Sequence, residues 1–193
     1  MSFKLYLASQ SPRRRELLAQ LNVEFEVLSA SIPEQKQPNE SAAAYVQRLA
    51  LEKAQAGLAV ASKPWPVLGA DTVVVVDDLV LEKPRDFSDF QRMMQLMSGR
   101  AHQVMTAVAL VTPTQAWVHL ETTQVWFSDL SAAQIESYWQ SQEPCDKAGG
   151  YGIQGLAGQF IPRIEGCYYN VVGLPLHATA QLISKLEGET HEC

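Results

Sequence analysis

The segment Val67 to Asp77 constrains the fold more than any other. It contains Val73-Val74-Val75-Val76, bounded by polar residues. Stiff, β-branched side chains favour an extended chain. An unbroken apolar run needs cover on both of its faces, so this strand belongs in the middle of a sheet. Asp77-Asp78 turns it into a short strand, Leu79 to Leu81, which Pro84 ends. Leu5-Tyr6-Leu7-Ala8 reads as a buried strand and Phe25 to Ser29 as another. His102 to Val111 and Trp117 to Phe127 read as an antiparallel pair, and Tyr169 to Val172 as a late strand.

Helices fill the intervals. Ser11-Pro12 opens one that runs to about Leu21, since Ser is a good N-cap and Pro suits the first helical position. Ser41 caps a long helix from Ala42 to about Ala61, preceded by the polar loop Ile32 to Glu40. Ser88 to Met97, stopped by Gly99, and Ser131 to Gln140 are further helices. Pro175 to Leu186 is the last, with a tail to Cys193 expected to fray. Helices and strands alternate early and strands pair locally later. The expected architecture is an α/β mixed twisted sheet flanked by helices, in one domain spanning residues 1–193.

The chain of 193 residues carries 15 Lys and Arg against 21 Asp and Glu, a net charge of −6. That balance speaks against a nucleic-acid or membrane partner. No apolar run approaches the roughly 18 residues of a membrane span. Cys145, Cys167 and Cys193 match no zinc spacing, and a reduced, cytoplasmic setting is expected.

Chemistry concentrates at a few places. In Ser9-Gln10-Ser11-Pro12-Arg13-Arg14-Arg15-Glu16, three arginines sit in the first turn of a helix, where each misplaced charge costs about 0.3–1 kcal/mol. The arrangement makes sense if amide N–H groups, the Ser9 and Ser11 hydroxyls and two arginine forks converge on phosphate. The competing reading is a solvated basic turn. If the cluster serves an anion, replacing Arg13 or Arg14 leaves stability equal or slightly improved. Asp71, in Gly69-Ala70-Asp71-Thr72 at the end of an otherwise apolar strand, is costly unless paired or metal-bound. It suits a metal ligand or a base for water, against the plainer reading of a solvent-facing strand end. Lys53, Lys83, Lys147 and Glu34 are isolated charges that matter only if the fold gathers them. Gly150-Tyr151-Gly152-Ile153-Gln154-Gly155 matches G-x-G-x-x-G, but it follows no strand and no acid lies about 20 residues on. The dinucleotide reading therefore fails, and a loop approaching a ligand closely is preferred.

In order along the chain, Leu7-Ala8-Ser9-Gln10-Ser11-Pro12-Arg13-Arg14-Arg15-Glu16-Leu17-Leu18, Arg48 to Ala54, Leu68 to Thr72, Leu81-Glu82-Lys83-Pro84, Asp146-Lys147-Ala148-Gly149, Tyr151 to Gly155 and Val172-Gly173-Leu174-Pro175 resemble the motifs of the Maf nucleotide pyrophosphatases. One departure is Ile32-Pro33-Glu34, where that family often carries two acids. The resemblance implies a two-lobed α/β protein with a cleft, of the Maf/inosine triphosphatase-like type. It implies hydrolysis of a nucleoside triphosphate to the monophosphate and pyrophosphate, a divalent cation (Mg or Mn) and a homodimer. By the same resemblance, Ser9, Ser11, Arg13 and Arg14 cradle the phosphates, and Lys53 and Lys83 neutralise charge. Asp71 is the base and a metal ligand, and Glu34 a second metal ligand. Arg13, Thr72 and Gln154 fit the dTTP/UTP subclass. The alternatives are the 7-methylguanosine triphosphate subclass and a non-catalytic regulator of septum formation.

Overall fold

The computed structural model describes residues 4–189. In chain order the elements are β1 (Lys4–Leu7), α1 (Pro12–Ala19), β2 (Glu24–Val27), α2 (Ala42–Val60), β3 (Val67–Val76), β4 (Leu79–Leu81), α3 (Phe87–Met97), β5 (Ala101–Val111), β6 (Ala116–Trp126), α4 (Ala132–Gln140), β7 (Arg163–Glu165), α5 (Tyr168–Val172) and α6 (Leu176–Glu189). Three short 3-10 turns, Glu143–Asp146, Ala148–Gly150 and Leu156–Phe160, lie between α4 and β7.

The strands form one mixed sheet in the order β2-β1-β3-β5-β6-β7, with β4 on the far part of β3. β1 runs parallel to both β2 and β3, and β3, β5, β6 and β7 alternate antiparallel. Side chains alternate along β3, as pleating requires. Val67, Val73 and Val75 face α2, packing with Tyr45, Val46 and Leu49. On the other face Leu68 and Ala70 meet Leu17, Leu18 and the α6 residues Leu182 and Ile183. Val74 and Val76 instead join a separate core with Phe90, Met93, Met94 and Ile135 from α3 and α4. The apolar run is thus covered on both faces, by different helices at its two ends. This gives the molecule its two lobes.

Gly69 sets the distance between α2 and the sheet. A Cβ built there would lie 2.5 Å from the Ala50 carbonyl oxygen and 2.6 Å from the Ala54 nitrogen. Both are helix backbone atoms, which have no rotamer to move aside. The expected result for Gly69→Ala is a loss of roughly 1–3 kcal/mol in chemical denaturation, the usual cost of overpacking. An unchanged midpoint would mean that the helix shifts freely.

Three expectations need correction. Tyr169 to Val172 is not a strand but lies in α5. Its β-favouring side chains are overridden by Asn170, which is fully buried and donates from Nδ2 to the Val104 carbonyl at 2.9 Å and to Thr123 Oγ1 at 2.8 Å. The late strand is β7, a few residues earlier. Asp71 stands in the middle of β3, not at its end. The last helix continues past Leu186 to Glu189, and the expected frayed tail from residue 190 lies outside the described residues.

Candidate active site

The site grows from a gap in the sheet. β1 pairs with β3 only at Val67 and Leu68, because the chain leaves β1 after Leu7. β4 pairs with β3 only from Val74 to Val76. Residues 69–73 therefore carry no partner strand on that edge, and both faces of β3 open into one cleft of about 770 Å³. This is why Asp71 and Thr72, which point to opposite faces, line the same cavity. All eleven residues singled out from the sequence line it: Ser9, Ser11, Arg13, Arg14, Glu34, Lys53, Asp71, Thr72, Lys83, Lys147 and Gln154.

On the α1 face, the N-cap hydroxyl of Ser11 accepts from the Arg14 amide at 3.4 Å, and Ser9 Oγ accepts from the Ser11 amide at 3.2 Å. Both hydroxyls are acceptors in these bonds, so their protons remain for an anion. Among the described residues Arg13 makes one ion pair, a long 3.9 Å contact with Asp146 across the cleft. Arg14 is differently placed. Its Nε donates to the Gly173 carbonyl at 2.9 Å and its Nη2 to Thr72 Oγ1 at 3.0 Å. Burial pulls its pKa below the ordinary arginine value, against the opposing charge of Asp71.

These contacts revise the stability expected from the arginine cluster. Arg13→Gln should leave the unfolding midpoint within a few tenths of a kcal/mol, as its exposed ion pair contributes little. Arg14→Gln should cost about 1–3 kcal/mol, because the Gly173 carbonyl and the Thr72 hydroxyl lose their donor. Equal denaturation midpoints for the two variants would contradict this difference.

On the α2 face, Lys53 Nζ lies 2.7 Å from Asp71 Oδ1 and 2.8 Å from Glu34 Oε1. The close approach at Gly69 brings Lys53 and Asp71 together from 18 positions apart. Asp71 is only 6% exposed. Burial raises its pKa, with Lys53 and Arg14 opposing. Burial also pushes Glu34 up, but the hydrogen bond and charge of Lys53, with Lys83 and Arg14 behind it, hold it below its ordinary value. Among the described residues no group of three or more His, Cys, Asp or Glu side chains is placed to hold a metal. Two carboxylates flanking one cation are nonetheless the donors a hard cation takes when phosphate oxygens and water complete its shell.

The glycine-rich loop forms the third wall. Glu143 ties it down: Oε1 accepts from the Tyr138 hydroxyl at 2.7 Å and Oε2 from the Leu156 amide at 2.9 Å. Lys147 Nζ donates to the Glu143 carbonyl and to Asp146, each at 2.7 Å. Gln154 sits on this loop, exposed. The sequence reading missed Glu143, Glu82 and Tyr45 as cleft residues. Tyr45, taken as an apolar helix position, donates its hydroxyl to Glu82 Oε1 at 3.2 Å, and no spacing rule links residues 45 and 82.

Fold and site together define an α/β protein whose interrupted sheet opens a cleft, with hydroxyls and arginine forks on one side and a lysine–carboxylate cluster on the other. The chain belongs to the Maf family: the model for Maf-like protein matches residues 4–186. It is 59% identical over 184 residues to the dTTP/UTP pyrophosphatase of Vibrio parahaemolyticus, covering 95% of this chain and 97% of that protein. It is 55% identical over 182 residues to the dTTP/UTP pyrophosphatase of Vibrio cholerae, covering 94% and 97%. With that of Aliivibrio fischeri it shares 52% over 187 residues, covering 95% and 98%.

Proposed function

We propose that this chain hydrolyses dTTP and UTP to the nucleoside monophosphate and pyrophosphate. The observation that carries this reading is the convergence on one cleft of a phosphate-directed helix start, a buried Lys53–Asp71 pair and an exposed Gln154. The relatives' activity agrees with it. Ser9, Ser11, Arg13 and Arg14 hold the triphosphate. Lys53 and Lys83 neutralise charge on the phosphates as the bond to the leaving pyrophosphate breaks. Asp71 takes a proton from the attacking water, and its raised pKa makes it a stronger base than an exposed aspartate. A divalent cation, Mg or Mn, fits beside Asp71 and Glu34, where it would supply further charge neutralisation on the phosphates. The assembly is a homodimer in this reading, which light scattering on the purified protein tests. The free thiols of Cys145 and Cys167 suit a reduced, cytoplasmic setting.

Base choice turns on Gln154. Its amide offers one acceptor and one donor group, which match the N3–H and O4 of uracil and thymine. A methyl difference is worth only about 1–3 kcal/mol, so both bases are accepted. A panel of nucleoside triphosphates, assayed for pyrophosphate release with and without Mg²⁺, tests the function directly. Gln154→Glu should lower kcat/KM for dTTP and UTP at least about tenfold, or roughly 1.4 kcal/mol, and hurt a purine triphosphate far less. Wild-type preference for a guanosine triphosphate, or an equal loss on every base, would sink the pyrimidine assignment.

A further inference from the structure

Arg14 is held by more than the two groups it touches. Thr72 on β3 lies directly opposite Thr106 on β5, and their hydroxyl oxygens are 2.9 Å apart. Thr106 is fully buried, and its Oγ1 is 2.8 Å from the Asn170 carbonyl oxygen. A carbonyl only accepts, so the single Thr106 proton goes to Asn170. Thr106 must then accept from Thr72, which must in turn accept from Arg14. The direction of every bond is determined: Arg14 Nη2–H to Thr72, Thr72 O–H to Thr106, Thr106 O–H to the Asn170 carbonyl. The residue that caps α5 closes the circuit, because the Gly173 carbonyl accepts from Arg14 Nε at 2.9 Å. Gly173 has φ +123°, a left-handed conformation that side chains rarely adopt, and this turns its carbonyl toward the arginine. Asn170 is anchored in turn, since its side-chain amide donates to Val104 and Thr123.

We infer that Thr106 is a positioning residue for the substrate-binding Arg14, acting through Thr72 in a hydrogen-bond ring that Arg14 starts as donor on both arms and α5 closes. The kinetic part rests on the function proposed above, but the ring itself does not. Chained bonds polarise one another, and the first donor here is charged, so each link adds to the hold on the guanidinium. The ring also assigns Thr72 a definite character. Its proton is committed to Thr106, so toward any ligand in the cleft it can only accept.

The test compares Thr106→Val, which keeps the shape but removes the hydroxyl, with Thr106→Ser, which keeps the hydroxyl. The first readout is the NMR signal of Arg14 Nε–H, assigned by its loss in Arg14→Gln. Its exchange with water should quicken at least about tenfold in Thr106→Val and stay near wild type in Thr106→Ser, the size expected for a hydrogen bond to a charged group. An unchanged rate in Thr106→Val overturns the inference whether or not any nucleotide is turned over. The second readout is kcat/KM for dTTP, expected to fall about tenfold in Thr106→Val, to be restored in Thr106→Ser, and to fall no further when Thr106→Val is added to Arg14→Gln. Equal losses in both backgrounds would mean that Thr106 serves only the fold. If Thr106→Val does not fold, Thr72→Val, one link nearer the cleft, carries the same exchange test.

Discussion

Asp71→Asn is expected to lower kcat by about 10²–10⁴-fold, the range set by removing a positioned general base. The substitution keeps the volume and removes the charge and basicity. Asp71 sits within a bonded β3 backbone, paired in register with Ala107 of β5, so the strand itself has no reason to move. Lys53 loses one of its two carboxylate partners but keeps Glu34. The folded protein should therefore survive, and a thermal melt together with single-turnover kinetics on dTTP separates folding from chemistry. Full turnover in a well-folded Asp71→Asn variant would remove Asp71 from the reaction. A loss of folding with normal activity per folded molecule would make its pairing with Lys53 structural.

The second large effect concerns stability against pH. His102 on β5 is 3% exposed, with Nε2 2.7 Å from the Tyr151 hydroxyl and its ring edge-on to Phe127. Its Nδ1 is buried with no hydrogen-bond partner among the described residues. Burial lowers its pKa to about 4 from the ordinary histidine value of 6.5. The folded state thus disfavours the charged imidazole, and the unfolded chain binds the proton more readily. His102 contributes its full share of stability above pH ~6.5, and the share is lost as pH falls toward about 4. A gap of that size corresponds to about 3 kcal/mol. The difference in unfolding free energy between wild type and His102→Gln should shrink by about that amount from pH 7 to pH 4. A constant difference across that range would mean that His102 titrates normally in the fold.

Much of the molecule was legible from the sequence because local interactions determine it. Four valines in a row need cover on both faces, and that requirement alone placed β3 at the centre of the sheet. Ser11-Pro12 and Ser41 announced the starts of α1 and α2 because a hydroxyl acceptor before a helix satisfies otherwise unpaired amides. Three arginines at a helix start pointed to an anion because their placement opposes the helix dipole. Local preference failed at Tyr169 to Val172, where β-favouring side chains yielded to a buried asparagine that reaches two strands. Only the tertiary structure decided the rest. No pattern along the chain shows that β1 and β4 pair with different parts of β3 and leave residues 69–73 open between them. That gap lets neighbouring residues on opposite faces share one cleft. Nor does spacing tell that a missing side chain at Gly69 lets α2 settle close enough for Lys53 to bridge Asp71 and Glu34. Such adjacencies come from packing across the whole chain, where each contact exists only because many distant ones already hold.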